Sequence, residues 1–307
     1  MRVLERGGHT RNLEPPFPCV GRYPPVMATT RAPRPPRRKG MLAEALEAAR
    51  FIWNHPANTG KRARKLAEAL MFQARGRLFG RPTIARIGTR SRISVHPGYG
   101  QAGLVYANPP EWLELAVWRR TWQPGDLFVD VGANVGAYTI WAIEAGCEVI
   151  AIEPNDWAVA QLKANLALNG ETAEVIHAAV ADRPGSVRMT TGLGVLNRIL
   201  SEGGQEVRAV TLDDVIGDRQ AMVKVDVEGA EMLVVEGAVR ALTDRRIKLM
   251  QLEWTGASEA FGVSREQIGA RLRVLGYELM TPDEDGRLVP VEHEGPQQPD
   301  VFARPMP

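Results

Sequence analysis

The stretch from Asp126 to Gly136, which reads DLFVDVGANVG, decides the fold. It is a short apolar run that ends around an acid, Asp130, and then turns through Gly132 and Gly136. The β-branched and aromatic residues predict a buried strand at Leu127–Val131, and the glycines predict a tight turn after it. The stretch therefore predicts a strand–turn–helix unit whose turn lets a ligand approach the backbone closely.

Strands and helices alternate from this unit towards the end of the chain. The predicted strands are short continuous apolar runs, as a parallel sheet covered on both faces requires. Strands are predicted at Leu127–Val131, Glu148–Ile152, Glu174–Ala178, Ala221–Val225 and Ile247–Leu252, with a terminal hairpin of Tyr277–Met280 and Val301–Ala303. Helices are predicted at Gly136–Ala145, Asp156–Leu168, Gly229–Leu242 and Arg265–Leu275. This alternation predicts a doubly wound α/β domain.

The chain before residue 123 has a different character. Residues 1–40 are rich in proline and arginine, and we expect a disordered tail there. Residues 41–122 are expected to form a helical accessory region with short strands, and residues 123–307 the ligand-binding domain. Two helices are predicted, one from Met41 to just before Pro56 and one over Lys61–Arg75. Each has an apolar side, formed by Leu42, Leu46, Ala49 and Trp53 in the first and by Ala63, Leu66, Ala67, Leu70 and Ala74 in the second.

The composition of the chain is that of a globular protein and argues against a membrane-spanning or secreted one. The 307 residues are 44% hydrophobic, which is ordinary for a globular protein. No apolar run is long enough to span a bilayer, and the first residues carry charges and prolines where a signal peptide is apolar. The two cysteines, Cys19 and Cys147, have no metal-ligand spacing. We therefore expect a cytoplasmic protein without a transmembrane segment.

Charge is spread unevenly along the chain. Residues 1–100 contain 20 Lys and Arg against 5 Asp and Glu, an excess of 20 − 5 = 15, so the remainder carries 2 − 15 = −13. Such asymmetry is typical of a nucleic-acid or acidic-lipid surface, and equally of a basic tail with solvated helix faces. We expect the second case, and no nucleic-acid partner.

Acidic residues end four of the predicted strands: Asp130, Glu153, Asp226 and Glu253. The carboxyl ends of parallel strands share one edge of a sheet, which is also the ligand edge of such folds. Carboxylates in that number are unsuited to a phosphate and suited to a cationic or hydroxyl-rich ligand. Among the strand-end residues, His177 is a further candidate, either near an adenine or as an ordinary hydrogen-bonded histidine.

The turn itself distinguishes two classes of cofactor. Gly132 and Ala137 match the first and third positions of the dinucleotide motif GxGxxG/A, but Asn134 occupies the second, where glycine admits a pyrophosphate. S-Adenosylmethionine has no phosphate and carries an ammonium and a sulfonium. The acid at Asp130 favours the ammonium. Glu153 follows Gly132 by 21 residues and accepts the ribose hydroxyls in either class. The pattern favours S-adenosylmethionine over NAD or FAD.

Four segments resemble one family. They are DVGANVG, AIEPN at Ala151–Asn155, TLDDVI at Thr211–Ile216 and KVDVEGAEMLVVEGA at Lys224–Ala238. Together they resemble the FkbM family of S-adenosylmethionine-dependent methyltransferases, over roughly residues 125–252. The resemblance implies a class I methyltransferase fold, Rossmann-like, with a mostly parallel seven-stranded sheet whose last hairpin inserts one antiparallel strand. It also implies that the cofactor-binding positions are Asp130, Gly132, Asn134, Gly136 and Glu153.

The acceptor side is less defined by the sequence. An alcohol must lose its proton during methylation, which requires a positioned base or a metal. We predict Asp226 and Glu228 as the catalytic residues, and expect Glu231 to be an exposed helix residue. Asp226 and Glu253 are an alternative pair of ligands for a divalent metal, although no metal site is predicted. Trp254 and the segment Thr190–Gly204, which contains Asn197 and Arg198, are candidates for lining or covering an acceptor pocket.

These observations lead to one functional prediction and two alternatives. The family resemblance implies methyl transfer to oxygen, so we predict an O-methyltransferase that uses S-adenosylmethionine and acts on a hydroxyl of a sugar, glycan or secondary-metabolite-type acceptor. A nicotinamide-dependent oxidoreductase is the first alternative, and Asn134 and the DVEGAE block at Asp226–Glu231 are evidence against it. The second is a non-catalytic binding protein built on a methyltransferase fold.

Overall fold

A computed structural model of the chain describes residues 41–190, 199–200, 204–254, 257–291 and 300–307. The predicted tail at 1–40, Cys19, and the loop residues Asn197 and Arg198 lie outside the described residues. Within the described ranges no helix is long and apolar enough to cross a membrane.

The helices and strands follow the predicted alternation. The helices are α1 (Met41–Asn54), α2 (Arg62–Phe79), α3 (Gly103–Tyr106), α4 (Trp112–Thr121), α5 (Ala137–Glu144), α6 (Asp156–Asn169), α7 (Leu212–Ile216), α8 (Glu231–Glu236), α9 (Val239–Thr243) and α10 (Arg265–Val274). The strands are β1 (Thr83–Arg86), β2 (Arg92–Val95), β3 (Leu127–Val131), β4 (Glu148–Glu153), β5 (Glu174–His177), β6 (Ala179–Val180), β7 (Gly185–Met189), β8 (Ile199–Leu200), β9 (Gln205–Val210), β10 (Ala221–Val225), β11 (Ile247–Glu253), β12 (Tyr277–Pro282), β13 (Leu288–Pro290) and β14 (Asp300–Pro305).

The central sheet has the strand order β13-β12-β14-β11-β10-β3-β4-β5. Strands β11, β10, β3, β4 and β5 are parallel to one another, and β14 is antiparallel to both β11 and β12. The doubly wound, mostly parallel sheet and its inserted antiparallel strand are confirmed. The described sheet has eight strands rather than seven, because the short strand β13 adds to its edge by pairing with β12.

A second, smaller sheet was not predicted. Its order is β6-β9-β7-β8, and only β6 and β9 are parallel. The predicted strand Glu174–Ala178 ends at His177 as β5, and the chain then leaves the central sheet so that β6 pairs with β9. A strand of two residues is too short to show an alternating pattern of apolar and polar residues, so sequence periodicity cannot detect β6 or β8.

The helix predicted at Gly229–Leu242 is two helices, α8 and α9. Between them Gly237 packs on the backbone of Ala181, because a Cβ on Gly237 would lie 2.1 Å from the Ala181 carbonyl oxygen. The chain approaches the small sheet so closely there that only glycine fits. By contrast, α6 begins as predicted and ends one residue later, at Asn169. The Asn155 side chain accepts a 3.0 Å hydrogen bond from the Ala158 amide, and Gly170 follows the C-terminus.

The two faces of the sheet have separate cores. Along β3, Leu127, Val129 and Val131 belong to one apolar cluster, while Phe128 belongs to the cluster on the other face. The second cluster also contains Phe72, Ile87 and Trp118, so the region before residue 123 covers that face. Alternation along a strand places Asp130 on the same face as Phe128. Asp130 therefore lies under the N-terminal region.

The predicted helices α1 and α2 form, but their apolar sides are not the packed ones. Helix α2 is buried at Ala69 and Phe72, whereas Leu70 and Ala74 are exposed. In α1 the fully buried residue is Ile52, and Leu46 and Trp53 are exposed. The apolar pattern of these two helices therefore does not identify the face that packs on the fold.

Candidate functional site

The turn after β3 brings two segments of backbone together. Gly132 has φ +78, and a Cβ on it would lie 1.8 Å from the carbonyl oxygen of Asp226. Glycine is therefore required there by the neighbouring strand end, and not only by a ligand. Gly136, with φ +89, precedes α5, where a Cβ would lie 3.1 Å from Cγ of Leu162.

Glu153, the last residue of β4, holds the turn in place. Its Oε2 accepts a 2.8 Å hydrogen bond from the Asn134 amide, and its Oε1 accepts one of 2.8 Å from the Asn155 amide. Burial raises the pKa of Glu153 to about 7, against the lowering effect of these two hydrogen bonds. Each carboxylate oxygen keeps a further lone pair for a ligand hydroxyl.

Asp130 is almost fully buried and anchors the start of α5. Its Oδ2 accepts hydrogen bonds from the Thr139 amide at 2.9 Å and from the Thr139 hydroxyl at 2.7 Å. Burial raises the pKa of Asp130, although the Lys224 ammonium and the Thr139 hydroxyl oppose the shift. The geometry thus gives Asp130 a structural task at the helix N-terminus that the sequence did not indicate.

Two cavities meet at the turn. The first has a volume of about 120 Å³, and its polar lining residues include Asn134, Glu153, Asp226 and Glu228. An apolar part of its wall contains Ile152, Ala178, Val180 and Met189. The second, of about 240 Å³, is lined by residues that include Gln101, Glu111, Asp130, Tyr138 and Lys224. Gly132, Asn134 and Asp226 line both cavities, while Gly136 lines neither.

Lys224 was missed by the sequence analysis and is central to the second cavity. Its buried ammonium lies 2.7 Å from Oδ2 of Asp226 and 4.6 Å from the ring centre of Tyr138. Burial opposes the charge, but Asp226, Glu111 and Asp130 outweigh it and raise the pKa of Lys224 well above its usual range. Lysine two residues before a strand-end acid points to the same face as that acid, and this spacing was the available signal.

Glu111 and Tyr138 complete the wall of the second cavity. The Tyr138 hydroxyl donates a hydrogen bond to Glu111, which precedes α4. Burial raises the pKa of Tyr138, and Glu111 adds to the shift. Glu111 comes from the N-terminal region, far from the motif segments, so no sequence spacing connects it with this site.

Three carboxylates lie close together beside the first cavity, and two of them, Asp226 and Glu228, line it. One oxygen from each of Asp226, Glu228 and Glu253 lies within 4.8 Å of the others. Burial raises the pKa of Glu253 to about 8, with Asp226 and Glu228 adding to the shift. Oxygen ligands in this arrangement are suited to a divalent cation, and equally to the hydroxyl groups of an acceptor.

Two further candidates, Glu231 and Trp254, lie differently from the predictions, and a third, His177, has one of its predicted roles. Glu231, expected on the surface, is 3% exposed and accepts a 2.9 Å hydrogen bond from the Gly229 amide. Trp254, expected to line an acceptor pocket, is buried in the apolar core beside Leu252. His177 is partly exposed and lies 3.3 Å from Asp156 and 3.0 Å from the Pro154 carbonyl, an ordinary hydrogen-bonded histidine.

Among the buried polar atoms without a partner in the described part of the chain, two lie at the turn. The Asn134 Oδ1 atom and the Gln101 Nε2 atom have no hydrogen-bond partner there, and both residues line the second cavity. Buried polar groups are normally satisfied. An acceptor and a donor with this placement fit an amino-acid group, whose ammonium and carboxylate supply the missing partners. These residues therefore fit S-adenosylmethionine.

The comparisons agree with this geometry. Residues 130–279 match the sequence-family model of the methyltransferase FkbM domain. The chain therefore carries a methyltransferase FkbM domain over those residues, as the sequence resemblance implied. No curated protein sequence matches the chain.

Solved structures of similar fold are distant. The Pyrococcus abyssi tRNA (uracil-54, C5)-methyltransferase in complex with S-adenosyl-L-homocysteine is 15% identical, with TM-score 0.41, and the match covers 73% of this chain and 43% of that one. A Thermus thermophilus (abbreviated T. Thermophilus) 16S rRNA N2 G1207 methyltransferase is 15% identical, with TM-score 0.42 and coverages of 74% and 50%. A methyltransferase from Pyrococcus furiosus is 14% identical, with TM-score 0.39 and coverages of 79% and 98%. The chain thus spans half or less of the first two structures, and these likenesses are too weak to bear on the acceptor.

Proposed function

We propose that this methyltransferase acts on a hydroxyl oxygen of a sugar, glycan or secondary-metabolite-type acceptor. The observation that carries the proposal is the group of three carboxylates, Asp226, Glu228 and Glu253, beside the first cavity. Carboxylates accept hydrogen bonds from several hydroxyl groups at once, and one of them can take the proton that an alcohol must lose.

The cofactor-binding residues are proposed from the cavity walls. Glu153 accepts the ribose hydroxyls with the lone pairs left free by the Asn134 and Asn155 amides. The apolar wall of the first cavity suits an adenine ring. Asn134 Oδ1 and Gln101 Nε2 hold the ammonium and carboxylate of the amino-acid end. Gly132 gives close access to the backbone, whereas Asp130 and Gly136 serve the cofactor through the shape of the turn.

S-Adenosylmethionine supplies an activated methyl group on a sulfonium, so the protein mainly has to align the acceptor. Alignment of two reactants can contribute about 7–11 kcal/mol to the barrier reduction in favourable cases. We assign this task to Asp226 and Glu228, which both line the first cavity.

Asp226 is the proposed proton acceptor. The Lys224 ammonium lies 2.7 Å from its carboxylate and holds it in position at the wall of the first cavity. Glu253 has a pKa raised to about 8 and is therefore largely protonated at neutral pH. It is suited to donate a hydrogen bond to a second acceptor oxygen.

The deciding experiment is a transfer assay with S-adenosylmethionine labelled in its methyl group. The acceptor panel contains glycans, hydroxylated small metabolites, lipids and RNA, and the products are examined for the atom that carries the label. An ether-linked methyl on a glycan or metabolite supports the proposal. Label on nitrogen or carbon, or label on RNA, contradicts it.

A second assay separates the remaining alternatives. Titration of the protein with S-adenosylmethionine and with NAD should give saturable binding of the first only. Binding of S-adenosylmethionine without turnover on any acceptor, with Asp226→Asn indistinguishable from the natural protein, would favour the non-catalytic binding protein.

A further inference from the structure

Helix α2 presents an unusual outer face. Its packed residues are Ala69 and Phe72, and on the opposite side, at 3.6 residues per turn, the helix exposes three large aliphatic side chains. Leu70, Met71 and Leu78 are 71%, 58% and 74% exposed. The small residues Ala63, Ala67 and Ala74 fill the same side. These six residues form an apolar stripe that runs the length of the helix.

Arginines border the stripe along both edges. Helical spacing places Arg62 and Arg77 on one edge and Arg64 and Arg75 on the other. The only acid within α2, Glu68, is turned towards the fold and contacts Arg64 at 3.2 Å and Lys65 at 2.7 Å. Since Arg64 is well exposed, that ion pair neutralises it weakly. The outer face of α2 is therefore apolar along its centre and positive along its edges.

A basic groove runs beside one of these edges. It has a volume of about 520 Å³ and lies between α2 and β1. Its basic lining residues are Lys61, Arg64, Lys65, Arg75 and Arg86, and its only acidic lining residue is Glu68. Arg64 and Arg75 thus belong both to the border of the stripe and to the groove. Five cations around one acid suit an anionic group.

Helix α1 also exposes apolar and aromatic side chains, one of them beside an arginine. Trp53 is about half exposed, and the Arg62 guanidinium lies 5.6 Å from the centre of its ring. Leu46 and Phe51 are also exposed on this helix. An aromatic ring beside an arginine at the end of an apolar surface is typical of helices that lie in a membrane interface.

We propose that the outer face of α2 binds an anionic phospholipid surface, with the apolar stripe in the headgroup–acyl boundary and lipid phosphates in the basic groove. The arrangement of the stripe and its arginines follows the layers of a bilayer interface: the apolar side chains enter the acyl region, and the arginine guanidinium groups remain at the lipid phosphates. This interaction goes beyond the proposed methyl transfer and does not depend on it.

Two other occupants fit the face less well. Nucleic acid also attracts arginines, but sequence-tolerant binding of single strands uses aromatic rings for base stacking, and this stripe is aliphatic. A second copy packed stripe to stripe would bring two bordered rows of arginine against each other, and like charges there disfavour the pair. An anionic bilayer satisfies both the apolar and the charged parts.

The test is flotation of the full chain with vesicles of phosphatidylcholine alone and of phosphatidylcholine mixed with phosphatidylglycerol. We expect binding to the mixed vesicles only, falling as salt rises. Leu70→Glu and Leu78→Glu together should abolish flotation, and Arg64→Glu with Arg75→Glu should lower partitioning by at least about twentyfold, because each surface arginine contributes about fivefold.

Matched controls come from elsewhere on the surface. Val274→Glu replaces an apolar side chain of α10 that is 62% exposed, and Arg208→Glu reverses a charge on the exposed part of β9. Both should leave flotation within twofold or so of the natural chain, by additivity of distant sites. All variants are first required to keep the circular dichroism spectrum and S-adenosylmethionine affinity of the natural chain, since none lies in the cofactor cavities.

Four outcomes would overturn the proposal. The first is equal binding to neutral vesicles, and the second is salt-dependent RNA binding at the same face without vesicle binding. The third is a dimer that Leu70→Glu dissociates, again without vesicle binding. The fourth is flotation that is lost on deleting residues 1–40 but kept in the α2 variants. The last result would assign the lipid contact to the basic tail instead.

Discussion

The Lys224 ammonium, on β10, lies 2.7 Å from the carboxylate of Asp226, the first residue after that strand. The lysine is buried and the aspartate is half-buried. The pair thus joins the covered interior of the second cavity to the wall of the first, and it keeps a cation among Asp130, Glu111 and Asp226.

Lys224→Met should destabilise the protein by about 3–5 kcal/mol, because it leaves buried carboxylates without their counter-ion while keeping the volume of the side chain. Lys248→Met is the control: Lys248 is about half exposed, 3.4 Å from Asp126, and its loss should cost no more than about 1 kcal/mol. Denaturant unfolding of both variants measures the difference. Similar small losses in the two would mean that Lys224 is not needed to neutralise the site.

Gly132→Ala should impair both folding and cofactor binding. The new Cβ would lie 1.8 Å from the Asp226 carbonyl oxygen, so the turn has to move away from the end of β10. Gly170→Ala shares the positive φ but meets no atom within 4 Å, and should cost only the conformational penalty of about 1–2 kcal/mol. Thermal unfolding and S-adenosylmethionine titration compare the two. Equal effects would show that the contact with Asp226 is relaxed in solution.

The sequence was sufficient for the parts of the fold that carry a local pattern. The apolar runs predicted β3, β4, β10 and β11, and the start of α6 was predicted correctly at Asp156. Features that depend on distant partners were missed, such as the two-residue strand β6. The apolar side of α2 was identified as a pattern, but periodicity does not reveal whether a face meets the core or another partner.

The same distinction holds within the site. Acids at strand ends were found because a parallel sheet gathers them at one edge, and Glu153, Asp226 and Glu253 lie there. Glu231 was misjudged because a glutamate in the first turn of a helix is usually solvated, and its burial depends on the neighbouring turn at Gly229. Gln101 comes from a glycine-rich loop, and no pattern connects that loop with the turn after β3.

Glu153→Ala should weaken S-adenosylmethionine binding by at least about tenfold. The variant removes the proposed ribose acceptor, and hydrogen bonds to a charged group contribute about 1.5–3 kcal/mol each. Glu148→Ala, at the exposed start of the same strand, should leave the affinity unchanged. Isothermal titration provides both values, with unfolding checked in parallel because Glu153 also holds two backbone amides. Unaltered affinity in a folded Glu153→Ala protein would exclude Glu153 as the ribose acid.

The stability of the ligand-free protein should fall as pH rises from about 5 to 8. Burial raises the pKa of Glu231 to about 7, above its unfolded value of 4.5. The folded state therefore binds this proton more tightly than the unfolded state, and the advantage is lost as pH rises through the folded pKa. Glu231→Gln keeps the acceptor for the Gly229 amide and removes the charge, so it should stabilise the protein at pH 8 by roughly 2–3 kcal/mol.

The measurement is thermal unfolding of the two proteins across that pH range. The exposed Glu174→Gln, on β5, is the matched control and should show no comparable gain at pH 8. A Glu231→Gln protein whose stability runs parallel to that of the natural chain at every pH would mean that Glu231 is ionised in the folded state near its ordinary pKa.

Asp226→Asn tests the proposed proton acceptor, because it keeps the shape of the side chain and removes its charge. S-Adenosylmethionine affinity should stay within a few fold, while turnover falls by about 10²–10⁴, the range for a positioned acid–base group. Both are measured with the acceptor identified in the transfer screen, at saturation. Glu228→Gln and Glu253→Gln, which alter the other two carboxylates of the group, provide the comparison, and each should lower turnover less than Asp226→Asn does.

Two other roles for Asp226 predict different results. If Asp226, Glu228 and Glu253 hold a divalent metal, a chelator abolishes turnover of the natural protein and an added divalent ion restores it. If Asp226 only compensates Lys224, Asp226→Asn lowers thermal stability and cofactor affinity together, and Lys224→Met relieves part of that loss in the double variant. The proton-acceptor role requires that turnover falls while stability and affinity hold, and that chelation leaves turnover unchanged. Near-normal turnover in Asp226→Asn would remove it from the mechanism and make Glu253, with its pKa raised to about 8, the next residue to test.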